Sequence, residues 1–187
     1  MSWATLWRPS FPAKGIGLLY KSKNIDIDPL IYGFTDNALY RGGTPALPLI
    51  VSFSKAMRIM SEGFKENIKT VEGLNKLLVD GFKEFGIHVN SNNLCVPHIV
   101  NVSLKEIKSE TFVRAIEREE IYISTHSACS SLDDDSVLKY VTDDKKINST
   151  SIRISLSHFT TKLEVNEFLK CFYKTYDSLL LKRKNFD

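Results

Sequence analysis

Cys129 is the residue of this sequence with the clearest potential for nucleophilic chemistry. It lies in the stretch ISTHSACSS, which follows an apolar run and precedes a run of aspartates. A free thiol has a pKa of about 8.5, so a nucleophilic cysteine needs a nearby base or a lowered pKa. His126 could act as that base, whereas the carboxylates of Asp133 to Asp135 would raise the pKa of the thiol if they were close. The pattern alone leaves Cys129 open between a nucleophile and a small buried residue.

Arg153 is a charged residue inside the apolar stretch SIRISL. Strand alternation places it on the face opposite Ile152 and Ile154. An arginine in such a position is either solvated on an open face or bound to an anion, and its planar fork suits a carboxylate. The spacing alone favours the solvated face.

The stretch RGGT, residues 41–44, is a second candidate for anion binding. Its two glycines permit an unusual backbone, and the guanidinium of Arg41 and the hydroxyl of Thr44 lie close by in sequence. Exposed backbone N–H groups in such a turn can bind an anion. A plain turn is the simpler interpretation of these residues.

The apolar pattern predicts an α+β fold, in which a small antiparallel or mixed sheet is covered by helices and preceded by a long linking helix. Apolar side chains recur every three or four positions over residues 47–85, which predicts that helix, or a helix pair meeting near Gly73. Another helix is predicted with Ser109 as its N-cap, and a last one begins at a capping box from Thr161 to Glu164. The predicted strands are GIGLLY (15–20), IHV (87–89), HIVNVSL (98–104), IYIS (121–124) and SIRISL (151–156).

Composition argues against several classes of function. The 187 residues are 43% hydrophobic, and the net charge of +3 comes from mostly scattered basic residues, so nucleic-acid binding is not predicted. There is no apolar run of roughly 18 residues and no signal-peptide pattern, so neither a membrane span nor export is predicted. The three cysteines, Cys95, Cys129 and Cys171, lack the spacing of a zinc or disulfide framework, so we predict no metal site and a cytoplasmic location. We predict structural roles for Cys95 and Cys171.

Several stretches occur in an order that resembles the C-terminal half of cysteine desulfurases, which are class-V aminotransferases of the pyridoxal-phosphate-dependent fold type I. They are PAKGIGLLY, YRGGTPALP, HIVNVSLK, REEIYISTHSACSS and TSIRISLSHFTTKLEV. The resemblance runs from about Ala13 to about Leu180. Its specific part is SACSS followed by SIRISLSHFTT.

The resemblance implies a role for each candidate residue. Cys129 matches the nucleophile that takes the sulfur of a cysteine substrate, leaving alanine and an enzyme persulfide. Arg153 matches the arginine that binds the substrate's α-carboxylate. Thr44 matches the threonine that reaches the cofactor phosphate of the other subunit in the family's homodimer.

The same resemblance implies an organisation of the chain into four parts. They are an irregular segment (1–12), a remnant of the large-domain strand with the cofactor-phosphate loop (13–46), the linking helix or helix pair (47–85) and the C-terminal small domain (86–187).

Two positions depart from the family pattern. The family's Schiff-base lysine lies in a His-Lys pair a few residues before KGIG, but the interval here reads LWRPSFPA, and Lys14 matches the second, non-catalytic lysine. His126 stands where the family usually has glycine and could act as a base or obstruct the thiol. We therefore predict that this chain does not bind pyridoxal phosphate covalently and has no turnover alone.

Two interpretations follow for the whole chain. It is either the small-domain half of a cysteine desulfurase, complemented by a separate large-domain chain or forming a fragment of a longer enzyme, or a truncated paralogue that keeps a dimerising or sulfur-carrier-binding surface. In either case we predict a homo-oligomer or a complex, because GIGLLY would otherwise leave an unpaired strand edge.

Overall fold

The computed structural model describes residues 4–7, 15–33, 40–125, 138 and 142–184. The chain divides into two compact units, Met1–Phe64 and Lys65–Asp187, and each is described by itself.

The first unit contains a two-stranded antiparallel sheet. β1 (Ala4–Trp7) pairs with β2 (Leu18–Lys21), with Ala4 opposite Lys21 and Trp7 opposite Leu18. No element was predicted for residues 1–12, so β1 is a difference from the prediction. The predicted strand over 15–20 is shifted, because residues 16 and 17 belong to no element and β2 extends to Lys21.

The long periodic segment forms one continuous helix, α1 (Leu47–Glu84), of 38 residues. The segment was predicted as one helix or two meeting at Gly73, and in the structure α1 continues through that glycine. Its apolar period explains the helix, since residues three or four positions apart share one face.

The second unit is built on a three-stranded antiparallel sheet in the order β3–β4–β5. The strands are β3 (His88–Val89), β4 (Ile99–Ser103) and β5 (Ser151–Ser155). Val100 and Val102 of β4 are fully buried, and so is Ile152 of β5, so the period-two alternation gives the sheet one core face. The described part of the fold is α+β, as the sequence predicted.

Helices cover this sheet and supply most of the remaining core. They are α2 (Ser109–Ile116), the short α3 (Lys145–Ser149) and α4 (Lys162–Lys184), together with the second half of α1. Phe172 of α4 lies at the centre, with its ring centroid 4.9 Å from that of Phe82 and 4.7 Å from that of Phe112. This core holds β5 and the start of α4 in place, and both elements line the cavity described below.

The two predicted helix starts have different outcomes. The capping box from Thr161 to Glu164 is present at the start of α4. The Ser109 cap is wrong, because the residue in the N-cap position is Lys108 and no side chain caps the helix there. Ser109 is instead the first residue of α2, and its buried hydroxyl donates to the carbonyl oxygen of Ser149 at 3.4 Å.

Candidate functional site

Arg153 occupies the middle of β5, between two buried isoleucines. It lies opposite Asn101 of β4, and it is half-buried while Ile152 and Ile154 point into the core. The two buried isoleucines therefore anchor β5 to the core, and the alternation of the strand directs the side chain of Arg153 away from that core face.

The predicted strand at 121–124 is reduced to a single bridge with Arg153. The backbone N–H of Arg153 donates to the carbonyl oxygen of Ser124 at 2.7 Å, and the N–H of Ser124 donates back to the carbonyl oxygen of Arg153 at 3.2 Å. Nη2 of Arg153 also donates to Oγ of Ser124 at 3.4 Å. Ser124 is thus bonded to both the backbone and the side chain of the arginine.

Arg153 and Ser124 line a cavity of about 260 Å³ in the second unit. The cavity lies between residues 121–124, β5, the start of α4 and Leu78 of α1. Its size is close to the lower end of the range for small-ligand sites. Besides the arginine, its polar groups include Ser124, Thr160 and Glu164, and isoleucine and leucine side chains supply much of the rest.

The guanidinium of Arg153 has no carboxylate partner within the described ranges. Its Nε is buried and has no hydrogen-bond partner among those residues. Glu164 lines the same cavity, but its carboxylate is engaged by Thr161, whose hydrogen bonds keep the pKa of Glu164 below its ordinary value. A half-buried cation without a counter-ion on a cavity wall can bind an anion, and a carboxylate matches its geometry.

Thr44 lies in the first unit, in the loop before α1. Its side chain is exposed, and it follows Gly43, which has a φ of +98°. Gly42 is packed so closely that an added Cβ would lie 2.5 Å from the backbone nitrogen of Gly33, so this position requires glycine. The loop is therefore a fixed turn that presents an exposed hydroxyl.

The predictions for Cys129 and His126 lie outside the described residues. The two remaining cysteines differ from each other. Cys171 is half-buried and packs against the core, which fits its predicted structural role. Cys95 is exposed, and its thiol is 3.5 Å from Oδ1 of Asn92 on a polar cleft of about 270 Å³, so it is not part of the core.

Ser124 and Thr160 are site residues that the sequence reasoning missed. Strand alternation could not have placed Ser124 beside Arg153, because it orders the faces within one segment and does not specify which segments pair. Nothing in the sequence marked Thr160 as a cavity residue either, because it lies in the turn before α4.

Two kinds of site are absent from the described part of the chain. No group of three or more histidine, cysteine, aspartate or glutamate side chains is placed there to hold a metal ion. No helix in the described ranges combines the length and apolarity needed to cross a membrane.

Comparisons with known proteins give the family. The aminotransferase class-V family matches residues 12–168 of this chain. A NifS/IcsS protein homolog of Lactobacillus delbrueckii is 33% identical over 171 residues, covering 87% of this chain and 44% of that protein. The mitosomal cysteine desulfurase of Encephalitozoon cuniculi is 33% identical, covering 82% of this chain and 36% of its own length.

Solved structures agree with these relatives. A NifS-like protein superposes with a TM-score of 0.75 at 32% identity, and the match covers 91% of this chain and 44% of that structure. A NifS-like protein of Rickettsia africae has a TM-score of 0.72 at 24% identity, which shows the fold alone. The chain spans less than half the length of these relatives. It belongs to the aminotransferase class-V family and is similar to the portion of NifS-like proteins and cysteine desulfurases that carries the small antiparallel sheet.

Proposed function

We propose that this chain is the C-terminal part of a cysteine desulfurase system. In this proposal Arg153 binds the α-carboxylate of L-cysteine, and the thiolate of Cys129 attacks the substrate's sulfur, so that the carbon–sulfur bond breaks and L-alanine and a persulfide on Cys129 are formed. The family match over most of the chain supports the reaction class. The observation that carries the proposal is the half-buried guanidinium of Arg153 on the wall of a cavity of about 260 Å³, without a carboxylate partner among the described residues.

The cavity favours an amino acid over a larger ligand. Its volume is small, and its cation lies beside aliphatic side chains that would contact a short side chain such as that of cysteine. A guanidinium that binds the carboxylate also orients the rest of the substrate, because a bidentate pair fixes both distance and direction. Arg153 would therefore act by positioning the substrate.

The described residues of this chain fit pyridoxal phosphate only at its phosphate end. The exposed hydroxyl of Thr44 follows Gly43, where an added Cβ would meet nothing within 4 Å, so a phosphate has room there. The sequence has no lysine at the position of the family's Schiff-base lysine. Lys21 does not substitute for it, because its ammonium donates to the carbonyl oxygens of Ser22 and Ile25.

The groups that this chain does not supply belong to the family's large domain. That domain, as a separate chain or as another part of the same protein, would supply the lysine and the contacts to the cofactor ring, and a second copy of this chain would place Thr44 at a phosphate across the interface. In this proposal residues 13–46 form the cofactor-phosphate region and residues 86–187 the small domain. A sulfur-acceptor protein would then take the persulfide sulfur. The predicted cytoplasmic location belongs to the same proposal.

The test is reconstitution with a large-domain half. The chain is mixed with the separately expressed large-domain half of a full-length relative, pyridoxal phosphate and L-cysteine, and sulfide release is measured under reducing conditions. We expect release that disappears in Cys129→Ala, falls at least tenfold in Arg153→Lys and persists in the matched control Cys95→Ser. Release that does not depend on Cys129 or Arg153 would contradict the proposal.

The missing lysine favours a second candidate function. As a non-catalytic paralogue, the chain would keep a dimerising or sulfur-carrier-binding surface without supporting turnover. Sedimentation and reconstitution separate the two candidates. A dimer that releases no sulfide with any large-domain half would support the paralogue, and sulfide release dependent on Cys129 would exclude it.

A further inference from the structure

Ser124 is placed to control the direction of the Arg153 guanidinium. We propose that Ser124 is a positioning residue, whose hydroxyl holds Nη2 of Arg153 so that the guanidinium presents its terminal nitrogens to a carboxylate in the cavity. This inference rests on the proposed carboxylate-binding role of Arg153. It adds a residue whose function the family comparison does not assign.

The backbone bridge fixes where the serine hydroxyl lies. Ser124 and Arg153 exchange both of their backbone hydrogen bonds, at 2.7 and 3.2 Å, so they form a directly opposed antiparallel pair. Side chains of such a pair leave the sheet on the same face and lie next to each other. The short serine side chain therefore places Oγ 3.4 Å from Nη2, on the same cavity wall as the guanidinium.

The burial of Arg153 determines which nitrogens a ligand can use. Nε is closed to solvent and has no hydrogen-bond partner among the described residues. A ligand in the cavity must therefore be bound by Nη1 and Nη2, which carry two N–H groups each. One bond from Nη2 to Ser124 leaves the second N–H of Nη2 for the carboxylate.

A hydroxyl at position 124 adds affinity through orientation. An arginine side chain has several rotatable bonds, and fixing them on binding costs free energy. The Nη2–Oγ bond restricts the guanidinium before the ligand arrives, so less free energy is lost in ordering the arginine side chain on binding. Alanine at position 124 would keep the backbone bridge and lose this restriction, whereas threonine would keep both.

The test uses the full chain and a ligand that needs no cofactor. Titrations with L-alanine and propionate, which carry a carboxylate, and with ethylamine, which does not, are followed by NMR. The readouts are the dissociation constant and the Arg153 Nε–Hε resonance, which Arg153→Lys identifies. The variants are Ser124→Ala and Ser124→Thr, with Thr125→Ala as a matched loss of a hydroxyl that leaves the Ser124–Arg153 pair in place.

We expect saturable binding of the two carboxylates by the wild-type chain, and none in Arg153→Lys. Ser124→Ala should weaken binding roughly three- to tenfold, as expected for the loss of one hydrogen bond. It should also shift the Arg153 resonance in the ligand-free chain, a change that an effect on overall stability would not produce. Ser124→Thr and Thr125→Ala should bind as the wild type does.

Three other outcomes would overturn the inference, and they show which part of it fails. If Ser124→Ala binds as tightly as the wild type, or if Ser124→Thr binds as weakly as Ser124→Ala, Ser124 has no positioning role. Arg153 would then remain the carboxylate site. Absence of saturable carboxylate binding in the wild-type chain would overturn both the positioning role and the proposed role of Arg153.

Discussion

Thr161 and Glu164 bond to each other at the start of α4. The backbone N–H of Thr161 donates to Oε2 of Glu164 at 2.7 Å, and the N–H of Glu164 donates to Oγ1 of Thr161 at 3.2 Å. This reciprocal pair satisfies two of the N–H groups that the first turn of a helix leaves without partners. Because α4 supplies Val165 and Phe172 to the core, the pair links local capping to the stability of the second unit.

Replacement of Thr161 tests the strength of this cap. Thr161→Ala removes the acceptor for the N–H of Glu164, so we expect the free energy of unfolding to fall by about 1 kcal/mol. Thr161→Ser keeps the hydroxyl and should stay close to the wild type. Urea denaturation followed by circular dichroism measures the difference. Identical midpoints for the alanine and serine variants would show that the hydroxyl does not contribute.

The carboxylate of Glu164 should make this cap sensitive to acid. Hydrogen bonds from the backbone and side chain of Thr161 lower the pKa of Glu164 below its ordinary value of 4.5. A lowered pKa in the folded state means that the stabilisation is present above the unfolded-state pKa and is lost as the pH falls through the folded-state pKa.

The comparison is between wild type and Glu164→Gln, which keeps an acceptor oxygen but carries no charge. The wild type should be the more stable of the two at neutral pH, and its advantage should shrink as the pH falls below about 4.5. Denaturation midpoints between pH 3 and pH 7 measure this change. A constant difference across the range would contradict a contribution from the charge.

The capping box could be predicted because all of its parts lie within one turn of sequence. The strand predicted at 121–124 was also inferred from neighbouring residues, but a strand forms only when it pairs with another strand. In the structure only Ser124 pairs, and it pairs with Arg153, which is distant in sequence. Ser109 illustrates the same limit, since its hydroxyl bonds to the carbonyl oxygen of Ser149 and not to its own helix.

The candidate site shows a similar division. The type and strand position of Arg153 made it a candidate for binding a carboxylate, and the resemblance assigned it that role. The cavity beside it depends on how residues 121–124, β5 and α4 pack together, which periodicity does not specify. Cysteine is usually buried, so nothing in the sequence indicated that the loop around Asn92 keeps the thiol of Cys95 exposed.

The difference in exposure between two cysteines predicts their order of alkylation. Cys95 is exposed, whereas Cys171 is half-buried against the core of α4, so its thiol reacts only when local motion opens the packing. Iodoacetamide should therefore modify Cys95 several-fold faster than Cys171 in the native chain, and the rates should converge in denaturant. Peptide mass spectrometry at short reaction times measures both rates separately from that of Cys129.

The control for this order is Cys95→Ser. This variant should lose the fast modification of the Cys95 peptide and leave the slow modification of Cys171 unchanged. Faster modification of Cys171 than of Cys95 in the native wild type would contradict the packing of α4 described above.

The hydroxyl of Tyr173 should make the second unit sensitive to alkaline pH. It donates to the carbonyl oxygen of Gly81 in α1 at 2.9 Å, and burial, assisted by the carboxylate of Glu84, raises the pKa of Tyr173 from 10.0 to about 12. Because the neutral form is favoured in the folded state, its stabilisation is complete below pH 10 and is lost as the pH rises towards 12. Burial raises the pKa of Tyr176 as well, so part of the alkaline loss will remain without Tyr173.

We therefore expect the denaturation midpoint of the wild type to fall more steeply between pH 10 and pH 12 than that of Tyr173→Phe. At neutral pH the phenylalanine variant should be less stable by roughly 1 kcal/mol, the usual contribution of one hydrogen bond. The matched control is Tyr122→Phe, which removes the hydroxyl of an exposed tyrosine and should keep the wild-type slope. Equal slopes for the wild type and Tyr173→Phe would contradict a stabilising hydrogen bond from the Tyr173 hydroxyl to the carbonyl oxygen of Gly81.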